Sequence, residues 1–365
     1  GTAGRGGGRR AAIVGTGLIG GSVGMALRQR GWHVSGVDAD PSVAERALEL
    51  GAVSAVGEDP EAELVVVATP VRAAPEVIRR VLASDGRNPA QVVTDVGGVK
   101  APLAAAIDHP RFVGGHPMAG SEQVGVEGAS GDLFVGATWV LTPTPSTDAD
   151  AYTRLRSVLA GLGANVLALA PDQHDALVAV VSHVPHLTAA TLMELAWGVG
   201  QEHAALLQLA AGGFRDMTRV AAGQPAIWPD ICDENAGAIV ETLDALIAAL
   251  GDMRERVARG DREGLLEVLD RAAAARRALP AGVPRPEGLV EVRVPVVDRP
   301  GQLSEVLSVP TALGISVVDV EIAHSVEGGR GVLVLVVDEK AAPELVPALV
   351  ARGHRASTQP LGSVR

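Results

Sequence analysis

Apolar residues in the first half of the chain form short runs that are separated by longer amphipathic stretches. Seven of these runs have the length and composition of strands: 11–15, 33–38, 64–69, 91–96, 111–115, 138–143 and 165–169. Several are apolar at every position, which is typical of strands in a parallel sheet that is covered on both faces. Helical patterns lie between them, for example at 18–30, 42–50, 71–83 and 152–162. The alternation predicts an α/β domain over 10–170, with a Rossmann-like, doubly wound parallel sheet.

The pattern changes at Pro171. From 171 to 279 amphipathic helical periodicity replaces the strand-like runs, as at 227–259 and 262–279, and this predicts an all-helical domain for substrate binding or dimerisation. A segment rich in proline and glycine, 280–288, is typical of a linker. Residues 289–365 then alternate in the order βαββα, with a final β run, which predicts a small α+β domain. Residues 1–9 are expected to form a flexible tail.

Composition and charge exclude several classes of function. Of 365 residues, 20% are charged and 47% are hydrophobic, which is the wrong balance for a disordered protein. The single cysteine, Cys232, excludes a disulfide framework and fits a reducing compartment. The net charge of −12 argues against nucleic acid or an anionic membrane as a partner. Glycines within the apolar run 11–27 argue against a signal peptide, and we expect no transmembrane helix and a cytoplasmic location.

The segment Gly15-Thr16-Gly17-Leu18-Ile19-Gly20 follows the first predicted strand and opens a helix. In a dinucleotide-binding turn the first glycine permits the tight turn, the second lets the backbone approach a pyrophosphate, and the third permits close helix–strand packing. Asp38 ends the next strand, at the position that binds a ribose 2′-hydroxyl. Its negative charge would repel a 2′-phosphate, so NAD is predicted rather than NADP. A structural glycine turn with an ordinary surface Asp is the alternative.

Three further strand ends are expected at the same edge of the sheet. Thr69, Pro70 and Val71 follow one strand where the cofactor would pass, and Gly97 and Gly98 follow another. His116 ends a third, in Gly114-Gly115-His116-Pro117, which would place it beside the nicotinamide. A histidine there can accept the proton of a substrate hydroxyl while hydride leaves the same carbon. A histidine with a purely structural role is the alternative for His116.

These segments together resemble one enzyme family. The set GTGLIGGS, TDVGGVK, GGHPMAGSE, SHVPH and FRDMTRVA…IWPDICDEN resembles the prephenate/arogenate dehydrogenases of tyrosine biosynthesis, over about residues 10–280. The C-terminal unit, with Asp298-Arg299-Pro300-Gly301 after its first strand, resembles an ACT domain with βαββαβ topology. The resemblance implies an NAD-dependent oxidoreductase that converts prephenate to 4-hydroxyphenylpyruvate, and a homodimer through the helical domain. Regulation by an aromatic amino acid is the expectation for the C-terminal unit, and a module for dimerisation or stability is the alternative.

The resemblance also implies roles for single residues. His116 matches the catalytic histidine and Arg219 the arginine that binds a substrate carboxylate. Further substrate-pocket positions are matched by His186, Trp228, Ser121, Glu122 and His174. An effector would bind at the turn formed by Asp298, Arg299, Gly301, Gln302 and Leu303. One departure stands out, because many members of the family carry a serine that hydrogen-bonds the catalytic histidine where this chain has Gly98.

A metal site is not predicted. His174 and His183 lie nine residues apart, on opposite sides of an α-helix, and Pro185 is expected to interrupt the helix before His186. Four functions stay open at this stage: a prephenate dehydrogenase, an arogenate dehydrogenase giving tyrosine directly, another hydroxy-acid dehydrogenase of similar build, and a non-catalytic sensor that binds a dinucleotide and an amino acid. The GGHPMAGSE and RDMTR motifs argue against the third function, and the intact His116 and Arg219 argue against the fourth.

Overall fold

The structure, a computed structural model, describes residues 9–83, 88–119, 123–202, 206, 209–210, 212–278, 288–297, 301–324 and 330–360. The chain divides into two compact units. One contains Gly1–His174 and Arg285–Arg365, and the other contains Asp175–Pro284. The C-terminal segment therefore groups with the α/β region, and the helical segment stands by itself.

The first unit is built on an eight-stranded sheet in the order β3-β2-β1-β4-β5-β6-β7-β8. Its strands are β1 Arg10–Val14, β2 His33–Val37, β3 Ala55–Val56, β4 Leu64–Val67, β5 Val92–Asp95, β6 Phe112–Pro117, β7 Thr138–Thr142 and β8 Asn165–Ala168. The pairs from β3 through β6 are all parallel. The prediction of a Rossmann-like parallel sheet is confirmed, and strand order reverses at β1, where such folds bind their ligands.

One part of that prediction was wrong, because the sheet is not parallel throughout. Strand β7 pairs with β6 in the antiparallel direction, and β8 is parallel to β7. A parallel pair needs a crossover connection, usually through a helix. Within the described residues between β6 and β7 the only helical segment is the single 3₁₀ turn Val126–Gly128. The chain therefore returns to the sheet without a crossover helix, and β7 reverses direction.

Helices cover both faces of this sheet. The unit contains α1 Leu18–Arg28, α2 Pro41–Glu49, α3 Ala74–Leu82, α4 Ala101–Ala106 and α5 Ala149–Gly161, and α6 Pro171–Val178 begins in it. Asp40 caps α2 by accepting from the Ser42 amide, and Pro41 supplies the fixed φ that suits a first helical turn. One apolar core holds Leu27 of α1 and Leu159 of α5, and a separate core holds Ile78 of α3 and Leu103 of α4.

The C-terminal module has the order β9 Leu289–Val297, α12 Gln302–Ala312, β10 Val317–His324, β11 Arg330–Asp338, α13 Ala342–Ala351 and β12 Ser357–Pro360. Its four strands form an antiparallel sheet in the order β10-β11-β9-β12. Alternate residues of β9 (Val290, Val292 and Val294) are buried, as expected for a sheet with one covered face. The small α+β domain predicted from the sequence is therefore present as a βαββαβ unit.

The module packs against the α/β region through polar and apolar contacts. Arg156 of α5 forms a two-pronged ion pair with Asp319 of β10, with Nε 2.9 Å from Oδ1. Thr311 of α12 lies within hydrogen-bond distance of Gln173 of α6, at 3.2 Å between Oγ1 and Oε1. The buried side chains of the module belong to the same apolar core as those around α5. These contacts explain why the module and the α/β region form one compact unit.

The second unit is helical. After α6, the helical path continues through a π-helical turn, Ala179–His183, into α7 Val184–Glu202. The remaining helices are α8 Gly212–Thr218, α9 Trp228–Glu234, α10 Ala236–Arg259 and α11 Arg262–Ala278. Pro185 is the second residue of α7, so the prediction that it interrupts the helix was wrong. Its missing N–H falls next to a π turn, where the regular i→i−4 pattern is already broken.

The predicted helix at 227–259 is divided in two. Its first part is α9 and its second part is α10, and Asn235 separates the two helices. The 3₁₀ turn Pro225–Ile227 precedes α9.

One helical stretch of the described residues, Pro171–Gly200, is long and apolar enough to cross a membrane by length and composition alone. Core helices of soluble proteins pass the same test, so this stretch is weak evidence for a membrane span.

Candidate active site

The glycine-rich turn has the geometry predicted for a pyrophosphate site. Gly15 has a φ of +93°, and a Cβ there would lie 2.4 Å from the Ala68 carbonyl oxygen. A Cβ on Gly20 would lie 1.9 Å from the Gly15 carbonyl oxygen. By contrast, a Cβ on Gly17 would meet nothing within 4 Å. Gly15 and Gly20 are therefore required by the fold, while Gly17 leaves open space before α1, which begins at Leu18 and continues with Ile19.

Asp38 lies directly after β2, as predicted, and its carboxylate also stabilises the glycine-rich turn through hydrogen bonds. Its Oδ2 accepts a hydrogen bond from the Thr16 amide at 2.8 Å, and its Oδ1 accepts from the Asp40 amide at 3.1 Å. The Thr16 hydroxyl also donates to Oδ2 at 3.4 Å, so Oδ1, with its second lone pair, is the oxygen that can accept from a ribose hydroxyl. The carboxylate thus joins the glycine turn to the position expected for the ribose.

The loop after β4 contains a hydroxyl without an internal partner. The Oγ1 of Thr69 is buried and has no hydrogen-bond partner within the described residues. Pro70 and Val71 follow it, at the edge where β1 and β4 end side by side. A buried hydroxyl is normally paired, so this one fits a bound polar group. The open space at Gly17, the Asp38 carboxylate and the Thr69 hydroxyl together suit a dinucleotide.

A buried ion pair holds the next two strand ends together, and sequence reasoning gave it no role. Lys100 and Asp95 are both fully buried, and Lys100 Nζ donates to Asp95 Oδ2 and to the Gly115 carbonyl oxygen. Asp95 also accepts from the amides of Gly97 at 2.8 Å and Gly115 at 3.1 Å. The sequence did contain a signal for this pair, namely two opposite charges within the otherwise apolar TDVGGVK segment. Charged residues are rarely buried without a partner, so a buried Asp95 would be expected to pair with Lys100. The pair fixes the loop of Gly97 and the peptide before His116.

His116 lies half-buried at the end of β6. Its Nδ1 is 2.8 Å from Nε2 of His174, and the two rings meet edge to face with centroids 5.0 Å apart. Its Nε2 faces Gly98, where a Cβ would lie 3.7 Å away. The structure therefore brings His116, His174 and Gly98 together. His174 itself is completely buried, in contact with His116 from the side opposite Gly98.

In the helical unit, two of the predicted substrate residues are in direct contact, and a third lies on a turn whose end is near one of them. The rings of His186 and Trp228 are stacked, with centroids 3.7 Å apart and an angle of 13° between their planes. Arg219 is exposed at the start of the 3₁₀ turn Arg219–Ala222, and Gly223 at its end lies against His186. Burial lowers the pKa of His186, which favours the neutral ring. The aromatic stack and the turn that begins with Arg219 are thus neighbours in this unit.

His183 has a structural role in the same unit. It is buried, its Nδ1 lies 3.2 Å from Nδ2 of Asn235, and its ring meets Trp228 edge to face. Asn235 also donates to the Asp175 carbonyl oxygen at 2.9 Å. Within the described residues no group of three or more histidine, cysteine or acidic side chains is arranged to hold a metal ion.

Several predicted residues lie outside the described residues, namely Ser121, Glu122, Asp298 and Arg299. Of the predicted effector turn, Gly301 has a φ of +83° and lies against the Pro145 carbonyl oxygen. Gln302 bonds Glu305, with 3.2 Å between Nε2 and Oε2, and Leu303 is buried in the apolar core.

Comparisons with known proteins agree with this arrangement. A family model described as prephenate dehydrogenase, nucleotide-binding domain, matches residues 23–168, and one described as prephenate dehydrogenase, dimerization domain, matches 170–271. The prephenate dehydrogenase of Bacillus subtilis (strain 168) is 34% identical over 337 residues, which cover 88% of this chain and 90% of that protein.

Two solved structures resemble the chain over most of its length. Prephenate dehydrogenase from A. aeolicus, in complex with hydroxyphenyl propionate and NAD⁺, has a TM-score of 0.69 and 30% identity, and the match covers 74% of this chain and 98% of that one. Synechocystis arogenate dehydrogenase has a TM-score of 0.64 and 32% identity, and the match covers 73% of this chain and 99% of that one.

Proposed function

Because the chain belongs to the prephenate dehydrogenase family, we propose that it catalyses the NAD-dependent oxidative decarboxylation of prephenate to 4-hydroxyphenylpyruvate. The observation that carries this proposal is the shared edge of the sheet. The dinucleotide turn at Gly15 and Thr69, whose hydroxyl has no partner within the described residues, follow parallel strands, and His116 lies near the end of a third strand with the same direction. A base at that edge stands where hydride would leave the substrate.

The cofactor residues have separable tasks. The amides at the start of α1 face the pyrophosphate, and Gly17 leaves the space for it. Asp38 accepts from the adenosine ribose, and Thr69, Pro70 and Val71 line the path toward the nicotinamide. Gly97 and Gly98 border the nicotinamide end. When bound, NAD⁺ supplies the acceptor for a hydride from the substrate ring.

His116 is the base of the proposed reaction. Its Nε2 accepts the C4 hydroxyl proton as hydride leaves C4, and it returns that proton to the C4 oxygen when the C1 carboxylate has left as CO₂. The ring becomes aromatic, which drives the reaction, so the protein must mainly position the substrate and hold the proton. Loss of catalysis in His116→Asn with NAD binding retained would support this assignment. Full activity in that variant would contradict it.

Substrate recognition is proposed for the helical unit. Arg219 binds a carboxylate of the substrate in the two-pronged geometry of a guanidinium, which matters in a protein of net charge −12. The His186–Trp228 stack offers a flat surface for the substrate ring. Glu122, Ser121 and His174 were predicted to contribute to the same pocket from the sequence.

The main alternative is an arogenate dehydrogenase, since an arogenate dehydrogenase is among the similar solved structures. The two substrates differ in whether the side chain ends in a keto group or an ammonium. Formation of reduced cofactor should be measured with prephenate and with arogenate, each with NAD⁺ and with NADP⁺. We expect turnover with prephenate and NAD⁺. Turnover with arogenate alone would establish the alternative, and failure with both substrates would refute both.

We further propose that the C-terminal module is an ACT domain that binds an aromatic amino acid. The support is its βαββαβ order, the left-handed Gly301 at the start of α12 and the contact of α12 with α6, which carries His174. Titration calorimetry of the full chain with tyrosine, phenylalanine and tryptophan tests this. A heat of binding with one of these amino acids supports regulation, whereas the absence of a binding heat with all three favours a purely structural module.

A homodimer through the helical unit is also proposed. The match to a dimerization-domain model supports it, as does a groove of about 730 Å³ lined mainly by apolar side chains, among them Val184, Leu192 and Leu246. Light scattering coupled to size-exclusion chromatography would give the mass of a dimer, and a monomer's mass would overturn the proposal. A cytoplasmic location, without nucleic-acid or membrane partners, stays a prediction.

A further inference from the structure

The contact between His116 and His174 restricts where their protons can be. The Nδ1 of His116 and the Nε2 of His174 are 2.8 Å apart, so one of them donates and the other accepts. In a neutral imidazole only one ring nitrogen carries a proton. The direction of this hydrogen bond therefore decides which ring nitrogen of His116 is unprotonated when the ring is neutral.

Only one direction is compatible with a base at Nε2. If His116 accepted at Nδ1, its proton would sit on Nε2, the atom that faces Gly98 and must take the substrate proton. If His116 donates from Nδ1, its Nε2 carries no proton, and His174 accepts at Nε2 and carries its own proton on Nδ1. We propose that His174 is a positioning residue that fixes this reactive tautomer of His116. The inference rests on the proposed function.

The surroundings of His174 suit a fixed partner better than a substrate contact. His174 is completely buried, and its amide bonds the Ala170 carbonyl oxygen at 2.9 Å in the first turn of α6. Its neighbour Gln173 contacts Thr311 of the C-terminal module.

His116 is held from its backbone as well. The Gly115 peptide donates to Asp95 and accepts from Lys100, so the residue before His116 cannot easily rotate. The side chain then needs one further contact to fix its ring. Gly98 has no side chain that could make this contact, whereas the His174 ring makes it through Nε2. A group that orients a catalytic histidine in the correct tautomer contributes strongly to turnover.

The tautomer can be measured directly. In the full-length protein with ¹⁵N-labelled histidine, two-bond ¹H–¹⁵N correlation spectra distinguish a ring protonated at Nδ1 from one protonated at Nε2. The signal of His116 among the nine histidines is identified by its loss in His116→Asn. We expect Nδ1 protonation in the wild type at neutral pH and a shift toward Nε2 protonation in His174→Leu. Nε2 protonation of His116 in the wild type would overturn the proposal.

Kinetics give a second readout. His174→Leu removes the acceptor, and we expect kcat to fall at least about tenfold, or about 1.4 kcal/mol, with the KM values for prephenate and NAD⁺ within about twofold of the wild type. His174→Gln can place Oε1 near the position of Nε2 and should keep much of the activity. Asp172→Asn, an exposed change on the same helix, should leave kcat unchanged.

The outcomes separate this proposal from the proposed function. If the wild type reduces NAD⁺ with prephenate but His174→Leu is as active as the wild type, the positioning role is refuted and the function stands. If the wild type shows no turnover with any substrate, the function fails, while the tautomer measured by NMR still reports on the contact. If His174→Leu raises KM with kcat unchanged, His174 is a substrate contact and the proposal is wrong.

Discussion

A Cβ on Gly98 would lie 3.7 Å from Nε2 of His116, at ordinary van der Waals distance. The position therefore has room for the serine that many family members carry. In Gly98→Ser the hydroxyl oxygen can accept from Nε2 once that atom is protonated, which stabilises the charged imidazolium. We expect kcat to rise about three- to tenfold, which corresponds to one additional hydrogen bond of about 1 kcal/mol.

The control for that change is Gly98→Ala, which adds the same Cβ without the hydroxyl. It should fold normally and show no rise in kcat. Steady-state kinetics with prephenate at saturating NAD⁺ would compare the two variants. Equal kcat values for the serine and alanine variants would mean that the hydroxyl does not reach His116.

The two glycines of the dinucleotide turn should respond differently to alanine. Gly15→Ala forces a side chain into the left-handed region, at 2.4 Å from the Ala68 carbonyl oxygen, so the protein should be destabilised by several kcal/mol. Gly17→Ala meets nothing within 4 Å and should leave the melting temperature unchanged. We expect it to weaken NAD⁺ binding at least about tenfold, because the methyl group fills the space of the pyrophosphate.

Thermal unfolding and cofactor titration of both variants test this pair of expectations. A Gly17→Ala protein that binds NAD⁺ as tightly as the wild type would show that the pyrophosphate does not approach that residue. A Gly15→Ala protein of wild-type stability would contradict the geometry of the turn.

The buried pair of Asp95 and Lys100 should be essential for stability. Lys100→Met leaves the Asp95 carboxylate buried without its cation, and breaking such a pair typically costs about 3–5 kcal/mol. Asp95→Asn combined with Lys100→Met removes the charge and should restore part of the loss. Urea unfolding would give the free energy of unfolding of the single and the double variant. Arg46→Met, which breaks two exposed ion pairs, with Glu49 and Glu127, is the control and should change the free energy of unfolding little. Wild-type stability in Lys100→Met would contradict the role of the pair.

Features set by neighbouring residues were predictable from the sequence, and those set by distant ones were not. The glycine turn and Asp38 follow from local backbone requirements, so their geometry matched the expectation. The contact of His116 with His174 joins residues 58 positions apart, and the ion pair of Arg156 with Asp319 spans 163. No local pattern encodes such pairs. The reversal of β7 was missed for a related reason, because apolar runs indicate strands without indicating their direction.

Arg219 should control substrate affinity. Arg219→Ala removes charge-assisted hydrogen bonds to a carboxylate, so we expect the KM for prephenate to rise about 10- to 100-fold, with the KM for NAD⁺ unchanged. Arg215→Ala is the matched control, because Arg215 is also exposed and lies one helical turn away, where its Nε bonds the Ala210 carbonyl oxygen. That variant should keep the wild-type KM. If both variants raise KM equally, the effect is one of general charge and Arg219 is not a specific clamp.

The His186–Trp228 stack should make stability depend on pH. Burial lowers the pKa of His186 in the folded protein, so between that value and its ordinary range near pH 6.5 the unfolded chain binds more protons than the folded one. The free energy of unfolding should therefore fall as the pH drops through this range and level off below the folded pKa. His186→Phe keeps an aromatic ring against Trp228 but cannot be protonated. Its free energy of unfolding should therefore fall less than that of the wild type as the pH drops. Urea unfolding at a series of pH values compares the two proteins, and parallel curves for both would mean that His186 does not contribute to the pH dependence.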